Sequence, residues 1–146
     1  MTVISLLTSE DQPQALAIEQ RSHAFPWSAE TLATNCGERF LNLRLDFDGK
    51  MAGFAITQIV LDEASLFNIA IDPQFQRRGF GRQLLEHLVA ALSERGVLTL
   101  WLEVRESNLP AIALYEQMGF NQVSRRARYY PTADGREDAL MMALVL

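Results

Sequence analysis

Apolar positions along this chain recur in two periods, one near two residues and one near 3.6, and the switches between them predict the order of elements. Val3 to Leu7 reads as a short opening strand. From Asp11 to His23 the residues Ala15, Leu16 and Ile18 fall on one helical face, with Pro13 tolerated in the first turn. Phe25-Pro26-Trp27-Ser28 breaks that pattern, and Ser28 is a good N-cap for a second helix through about Cys36, which Gly37 ends. Phe40 to Phe47 alternates as a strand, Asp48-Gly49 makes a tight hairpin, and Lys50 to Leu61 is a longer strand. Asp62-Glu63 turns the chain into a further strand, Ala64 to Ile71. A helix over Arg82 to Arg95 carries Leu84, Leu85, Leu88, Val89 and Leu92 at helical spacing and stops at Gly96. Val97 to Val104 is strand-like, and Asn108 to Met118 is a helix capped by Ser107 or Asn108 and stopped by Gly119. Phe120 to Tyr130 and Asp138 to Leu146 close the chain as two strands around a Pro131–Gly135 turn.

The first four strands read as an antiparallel meander. The strand–helix–strand unit from Ala64 to Val104 implies instead a parallel, right-handed crossover. No repeat, linker or low-complexity segment divides the sequence, so residues 1–146 are expected to form one mixed α/β domain.

Charge narrows the function classes. Thirteen basic against eighteen acidic residues give a net charge of −5, which argues against binding nucleic acid through phosphate neutralisation. The same balance would suit a cationic acceptor such as a basic peptide or a polyamine. Cys36 is the single cysteine, so no internal disulfide can form. Cys36, His23 and His87 do not make a metal site, and His87 reads as a surface or packing residue. Met1 to Glu10 lacks the basic flank and long apolar core of a signal peptide. Met51 to Leu61 is too short to span a bilayer. A soluble, cytoplasmic protein with no membrane partner is the expectation.

The candidate chemistry starts where the strand ending at Ile71 meets Asp72-Pro73-Gln74-Phe75-Gln76-Arg77-Arg78-Gly79-Phe80-Gly81-Arg82 and enters a helix. The first N–H groups of a helix lack intrahelical partners and carry partial positive charge, so such a junction suits a phosphate or pyrophosphate. Gly79 and Gly81 allow close approach of a ligand to the backbone, and Arg77, Arg78 and Arg82 add charge. A dinucleotide fingerprint needs a third glycine where Leu84 stands, and a Walker loop needs Gly-Lys-Ser/Thr, which does not occur. What remains is Gln-x-x-Gly-x-Gly after a strand.

Glu103 is a carboxylate near the end of an otherwise apolar strand, either paired with Arg105 or another cation or held in a cleft for a purpose. Asn108, Ile112 and Tyr115 share one face of the next helix. The run Glu103-Val-Arg-Glu-Ser-Asn108-x-x-Ala-Ile-x-Leu-Tyr115-Glu-x-x-Gly119-Phe120, following Gln-x-x-Gly-x-Gly by about 25 residues, resembles the GCN5-related N-acetyltransferases (GNAT). Phe25-Pro26-Trp27-Ser28, Leu66 to Ile71, Trp101 to Arg105 and Arg128-Tyr-Tyr-Pro131 with Glu137-Asp138-Ala139 extend that resemblance over essentially the whole chain. They resemble in particular the members that acetylate the N-terminal alanine of small-subunit ribosomal protein eighteen.

The resemblance implies a mixed, mostly antiparallel sheet of about seven strands with helices on both faces, acetyl-CoA as co-substrate and no metal. It implies that N–H groups from Asn68 through Ile69, Ala70 and Ile71 receive the thioester oxygen. The backbone of Arg77, Arg78, Gly79, Phe80, Gly81 and Arg82 would hold the pyrophosphate, and Asn108 the pantetheine arm. An α-amine with a pKa near 8 is only about a tenth neutral at pH 7, so a general base is useful. Glu103 is expected in that role and Tyr115 as the acid for the departing thiolate. Tyr129, Tyr130 and the Phe25–Ser28 loop are candidates for the peptide groove. A small amine or a lysine side chain as acceptor, and a non-catalytic acyl-CoA sensor, stand as the alternatives.

Overall fold

Seven strands form one sheet in a computed structural model that describes residues 1–146. They are β1 (Thr2–Leu6), β2 (Leu43–Phe47), β3 (Lys50–Val60), β4 (Glu63–Ile71), β5 (Thr99–Arg105), β6 (Asn121–Thr132) and β7 (Gly135–Val145). Their spatial order is β1-β2-β3-β4-β5-β7-β6. The first four form the expected antiparallel meander, β4 and β5 pair in parallel, and β7 inserts antiparallel between β5 and β6.

Four helices cover the two faces. On one side α1 (Gln12–Ser22) and α2 (Ala29–Thr34) bury Ala15, Ile18 and Leu32 against Phe54, Ile56 and Ala70. On the other, α3 (Phe80–Glu94) and α4 (Leu109–Gln117) pack onto the larger core. There Leu84, Leu85, Leu88 and Leu92 meet Leu43, Leu45, Leu100 and Leu102, with Tyr115 and Phe120 at the edge. Each fully buried Leu contributes about 1.5–3 kcal/mol, so the α3 face is the main source of apolar stabilisation.

Several boundaries differ from the sequence reading, each for a local reason. Helix α3 begins at Phe80 rather than Arg82, because Gly79 adopts a left-handed φ of 79° and caps it. The strand expected from Phe40 starts at Leu43. Ahead of it the Asn42 side chain accepts from Thr57 N and donates to Asn35 O, which interrupts the ladder and leaves Phe40 in an isolated bridge with Gln58. The expected Asp62-Glu63 turn sits at Leu61-Asp62, with Leu61 at φ 57° and Glu63 already in β4. The expected Pro131–Gly135 turn shrinks to Ala133-Asp134, because β6 and β7 pair out to Thr132 and Gly135. Ser28 caps α2 as expected, accepting from Thr31 N at 3.1 Å, although α2 ends at Thr34.

The feature that positions the site is a divergence of β4 from β5. Their pairing covers only Glu63–Leu66 against Thr99–Leu102. Beyond it β4 follows β3 through a bulge at Phe67, where Ile56 faces Asn68 and Thr57 faces Leu66. Strand β5 instead follows β7 along its whole length to Arg105. A bulge adds twist and bends its strand, so the two parallel strands part and open a gap.

The far end of β4 is pinned to α1. Asp72, 3% exposed, pairs with Arg21 and accepts from Gln74 N at 3.2 Å. Burial pushes its carboxyl up, but the Arg21 guanidinium and the Gln74 N–H outweigh that and hold it below the usual carboxylate range. Removing the half-exposed Arg21 leaves the buried Asp72 carboxylate with the Gln74 N–H as its remaining donor, so Arg21→Met is expected to cost about 1–2 kcal/mol at pH 7 in chemical denaturation. A depressed carboxylate contributes stability above its unfolded pKa of about 3.9 and loses it as pH falls through the folded value. The variant and the parent should therefore converge on acidification, and a gap that persists in acid would rule the ion pair out as the cause.

Candidate active site

The gap between β4 and β5 opens into a cleft of about 650 Å³. Its lining comes from the end of α1 and the following loop, from the β4 bulge, from the end of β5 and from α4. A second cavity of about 440 Å³ lies beside it, lined by Trp101, Arg126, Tyr129 and Met141. Trp27, Leu66, Phe67, Leu102, Glu103 and Tyr130 line both.

Glu103 therefore stands where the two spaces meet. The alternation of β5 explains this: Leu100, Leu102 and Val104 face the core, while Trp101, Glu103 and Arg105 face the other way. The cation beside Glu103 is Arg126, whose Nε lies 3.2 Å from Oε1. Arg105 binds Glu137 at 3.2 Å and Pro131 O at 2.7 Å, and its guanidinium sits between the rings of Phe25 (5.0 Å) and Tyr130 (4.6 Å). Both alternatives posed by the sequence thus coexist: Glu103 is paired, and it faces the cleft.

Tyr115 projects from α4 into the same cleft and packs against Phe120, with ring centroids 5.6 Å apart. Burial, with Tyr130 nearby, pushes its hydroxyl up to about 12, so it stays protonated and able to donate through the neutral range. Burial, followed by the charge of Glu103, does the same to Tyr130, also to about 12. Asn108 lines the cleft and caps α4, its Oδ1 accepting from Ala111 N at 3.3 Å. That cap occupies one acceptor of the side chain expected to hold the pantetheine arm and leaves its amide donors available.

The glycine turn lies beyond the far end of β4, outside the lining of the cleft. None of the backbone N–H groups from Arg77 to Arg82 donates to another group of the protein, and the first bonded one is Gln83, to Gly79 O at 3.1 Å. Arg77 at φ 64° and Gly79 at φ 79° turn the chain so that these donors lead into the N-terminus of α3. Such a row of unpaired donors fits a pyrophosphate. The side chains are less uniform than expected. Arg78 lies over Phe47 and Phe75, at 5.3 and 5.8 Å. Arg82 reaches Gln117 at 3.4 Å, and Phe80 is buried and supplies only its backbone. Of the β4 residues, Ile69 lines the cleft, Ala70 is buried under α1, and Ile71 packs on the main core.

Sequence reasoning missed Glu19 and the network it forms with the side chains of His23 and Asn68 at the wall of the cleft, Asn68 being expected there only as a backbone donor. Glu19 Oε2 accepts from Trp27 N at 2.9 Å and Oε1 from Asn68 Nδ2 at 2.8 Å. His23 Nε2 is 3.2 Å from Asn68 Oδ1. The signal was present: Glu19 follows Ala15 by four residues and Ile18 by one, a charge inside the buried face of α1. The exposed position of His87 is as expected.

Comparison with known proteins agrees with this geometry. The acetyltransferase (GNAT) family model matches residues 4–120. The [ribosomal protein bS18]-alanine N-acetyltransferase of Escherichia coli K12 is 65% identical over 144 residues, covering 99% of this chain and 97% of that one. The crystal structure of the E. coli ribosomal-protein-S18-alanine N-acetyltransferase superposes with a TM-score of 0.98 at 64% identity, covering 99% and 94% of the two chains. Arabidopsis thaliana NAA60 in complex with acetyl-CoA, at 18% identity, shares the fold with a TM-score of 0.88 over 100% of this chain and 99% of that one. With unpaired donors at the α3 turn, a gap between β4 and β5, and a match over most of its length, this chain belongs to the acetyltransferase (GNAT) family.

Proposed function

We propose that this protein transfers the acetyl group of acetyl-CoA to the α-amine of the N-terminal alanine of ribosomal protein bS18, and so works in the cytoplasm. The substrate rests on the 65% identity to enzymes of that name across nearly the whole chain. The observation that carries the chemistry is the position of Glu103, which lines both the cleft reaching α4 and the cavity under Tyr129. An acceptor entering from one side and a thioester from the other meet at that carboxylate.

Acetyl-CoA supplies the activated thioester. The backbone N–H groups from Arg77 to Arg82 would hold its pyrophosphate, with Asn108 along the pantetheine arm. Asp72 N donates to Ala52 O, so by alternation Ala70 N also faces β3. Of the expected donors, the N–H groups of Ile69 and Ile71 would favour negative charge on the carbonyl oxygen. Glu103 takes the proton from the α-ammonium, directly or through water, and the neutral amine forms the new C–N bond as the C–S bond breaks. Tyr115 faces the departing sulfur. A hydroxyl near 12 is about three powers of ten weaker as an acid than a thiol near 8.5. Tyr115 therefore acts chiefly as a hydrogen-bond donor, and if its proton passes to the sulfur the phenolate is reprotonated by the second proton that the attacking nitrogen sheds on becoming the amide.

Glu103→Gln is expected to lower kcat by about 10² while leaving acetyl-CoA affinity by calorimetry unchanged; an unaltered kcat would remove Glu103 from the role. Tyr115→Phe should likewise spare binding and slow turnover, whereas a loss confined to affinity would make Tyr115 a binding residue. Gly81→Ala should do the opposite. A Cβ there meets only Leu114 Cδ2 at 3.8 Å and Ile71 Cγ1 at 3.9 Å, so the thermal midpoint should hold while acetyl-CoA affinity falls about tenfold. Unchanged affinity would place the pyrophosphate elsewhere.

The acceptor is tested with a basic peptide bearing a free N-terminal alanine and its N-blocked twin, with the acetylated site mapped by mass spectrometry. Product from the free peptide alone is the expected result. Acetylation of lysine in both would indicate a side-chain acceptor, and no product with either would indicate an acyl-CoA-binding protein.

A further inference from the structure

We infer that Glu19 is a positioning residue for the acceptor side of the reaction, clamping the Phe25–Ser28 loop and the β4 bulge into one rigid lip. Its carboxylate is 1% exposed, and a charge so buried is tolerated only where donors converge on it. The donors come from two different segments. Trp27 N, at 2.9 Å, belongs to the loop after α1; Asn68 Nδ2, at 2.8 Å, belongs to the residue next to the bulge at Phe67. His23 closes the set: its Nε2 lies 3.2 Å from Asn68 Oδ1 and 3.5 Å from Glu19 Oε1. Facing two acceptors, Nε2 is assigned the ring proton, and that bond orients the Asn68 amide so that its NH₂ points at Glu19.

The segments joined in this way carry the residues at the mouth. Trp27 and Phe67 line both cavities, and Phe67 is held from the other side by Phe40, with ring centroids 6.3 Å apart. No hydrogen bond or ion pair joins the Arg77–Arg82 turn to this network; the link between them runs through Ile71 O, which accepts from both Gln76 Nε2 and Ser22 Oγ. Loosening Glu19 should therefore disturb the acceptor peptide and leave acetyl-CoA alone. This inference rests on the proposed acceptor, so its test needs one readout that does not depend on the substrate.

Glu19→Gln is nearly isosteric but places an NH₂ against that of Asn68. The swap E19Q/N68D restores donor to acceptor between positions 19 and 68 and with Trp27 N, leaves His23 Nε2 its acceptor at position 68, and keeps the net charge. Trp27 and Trp101 are the two tryptophans, so a Trp101→Phe background makes fluorescence report the lip alone. In that background Glu19→Gln should lower the anisotropy of Trp27 and raise its quenching by acrylamide, and the swap should reverse both. In the native background Glu19→Gln, and independently Asn68→Ala, should raise the KM of the free-alanine peptide about tenfold. The acetyl-CoA affinity should stay within twofold, and the swap should recover most of the loss. Equal losses for peptide and coenzyme, an unmoved Trp27 signal, or a swap no better than the single variant would overturn the clamp. Should the parent fail to acetylate the peptide while Trp27 responds as described, the acceptor assignment falls and the clamp stands.

Discussion

The cleft of this molecule depends on the point at which β4 and β5 stop pairing. Two parallel strands that leave their ladder after Leu66 and Leu102 expose backbone groups that the interior of a sheet would otherwise satisfy. The loss is tolerated because each strand keeps a full antiparallel partner on its other side, β3 for β4 and β7 for β5. A gap flanked by two paired ladders, the β3–β4 one resuming beyond its bulge, exposes strand backbone without a loop.

The charges around the gap follow from the same geometry. Buried carboxylates here are matched by donors from distant segments: Asp72 by Arg21 and Glu19 by Trp27 and Asn68. Partly exposed acids on β5, β7 and the loop after β5 lie next to arginines. Glu103 meets Arg126, and Arg125 meets both Glu106 at 2.6 Å and Asp138 at 2.8 Å. Asp138 also accepts from Arg128 N at 2.9 Å, and Arg136 donates to the carbonyls of Arg128 and Tyr129 at 2.8 and 2.7 Å. These bonds hold an irregular stretch of β6 in which Arg128 takes a φ of 51°. They set Tyr129 and Tyr130 over the groove. Exposed ion pairs of this kind add little to global stability, but they fix local shape at the mouth.

The fold was largely legible because its elements obey local rules. The Leu84, Leu85, Leu88 and Leu92 spacing specified α3, Ser28 capped α2, and the crossover between β4 and β5 followed from an intervening helix. The misses came where side chains from elsewhere compete for backbone groups. Asn42 diverts the approach to β2, and cross-strand pairing extends β6 and β7 into residues whose own composition reads as turn.

The site divides along a similar line. The glycine turn and the run from Glu103 to Tyr115 were visible in sequence because phosphate binding and helix-face display depend on neighbours within a few residues. Periodicity and turn residues determined the expected meander and crossover, and these two motifs the family resemblance and the expected coenzyme. Only the tertiary structure decided that Glu103 pairs with Arg126 rather than Arg105, and that Arg78 lies on Phe47 and Phe75. It alone brought Glu19 of α1 together with Asn68, 49 residues away. Partner choice among charges depends on distances between segments far apart in the chain, and no local period encodes those distances.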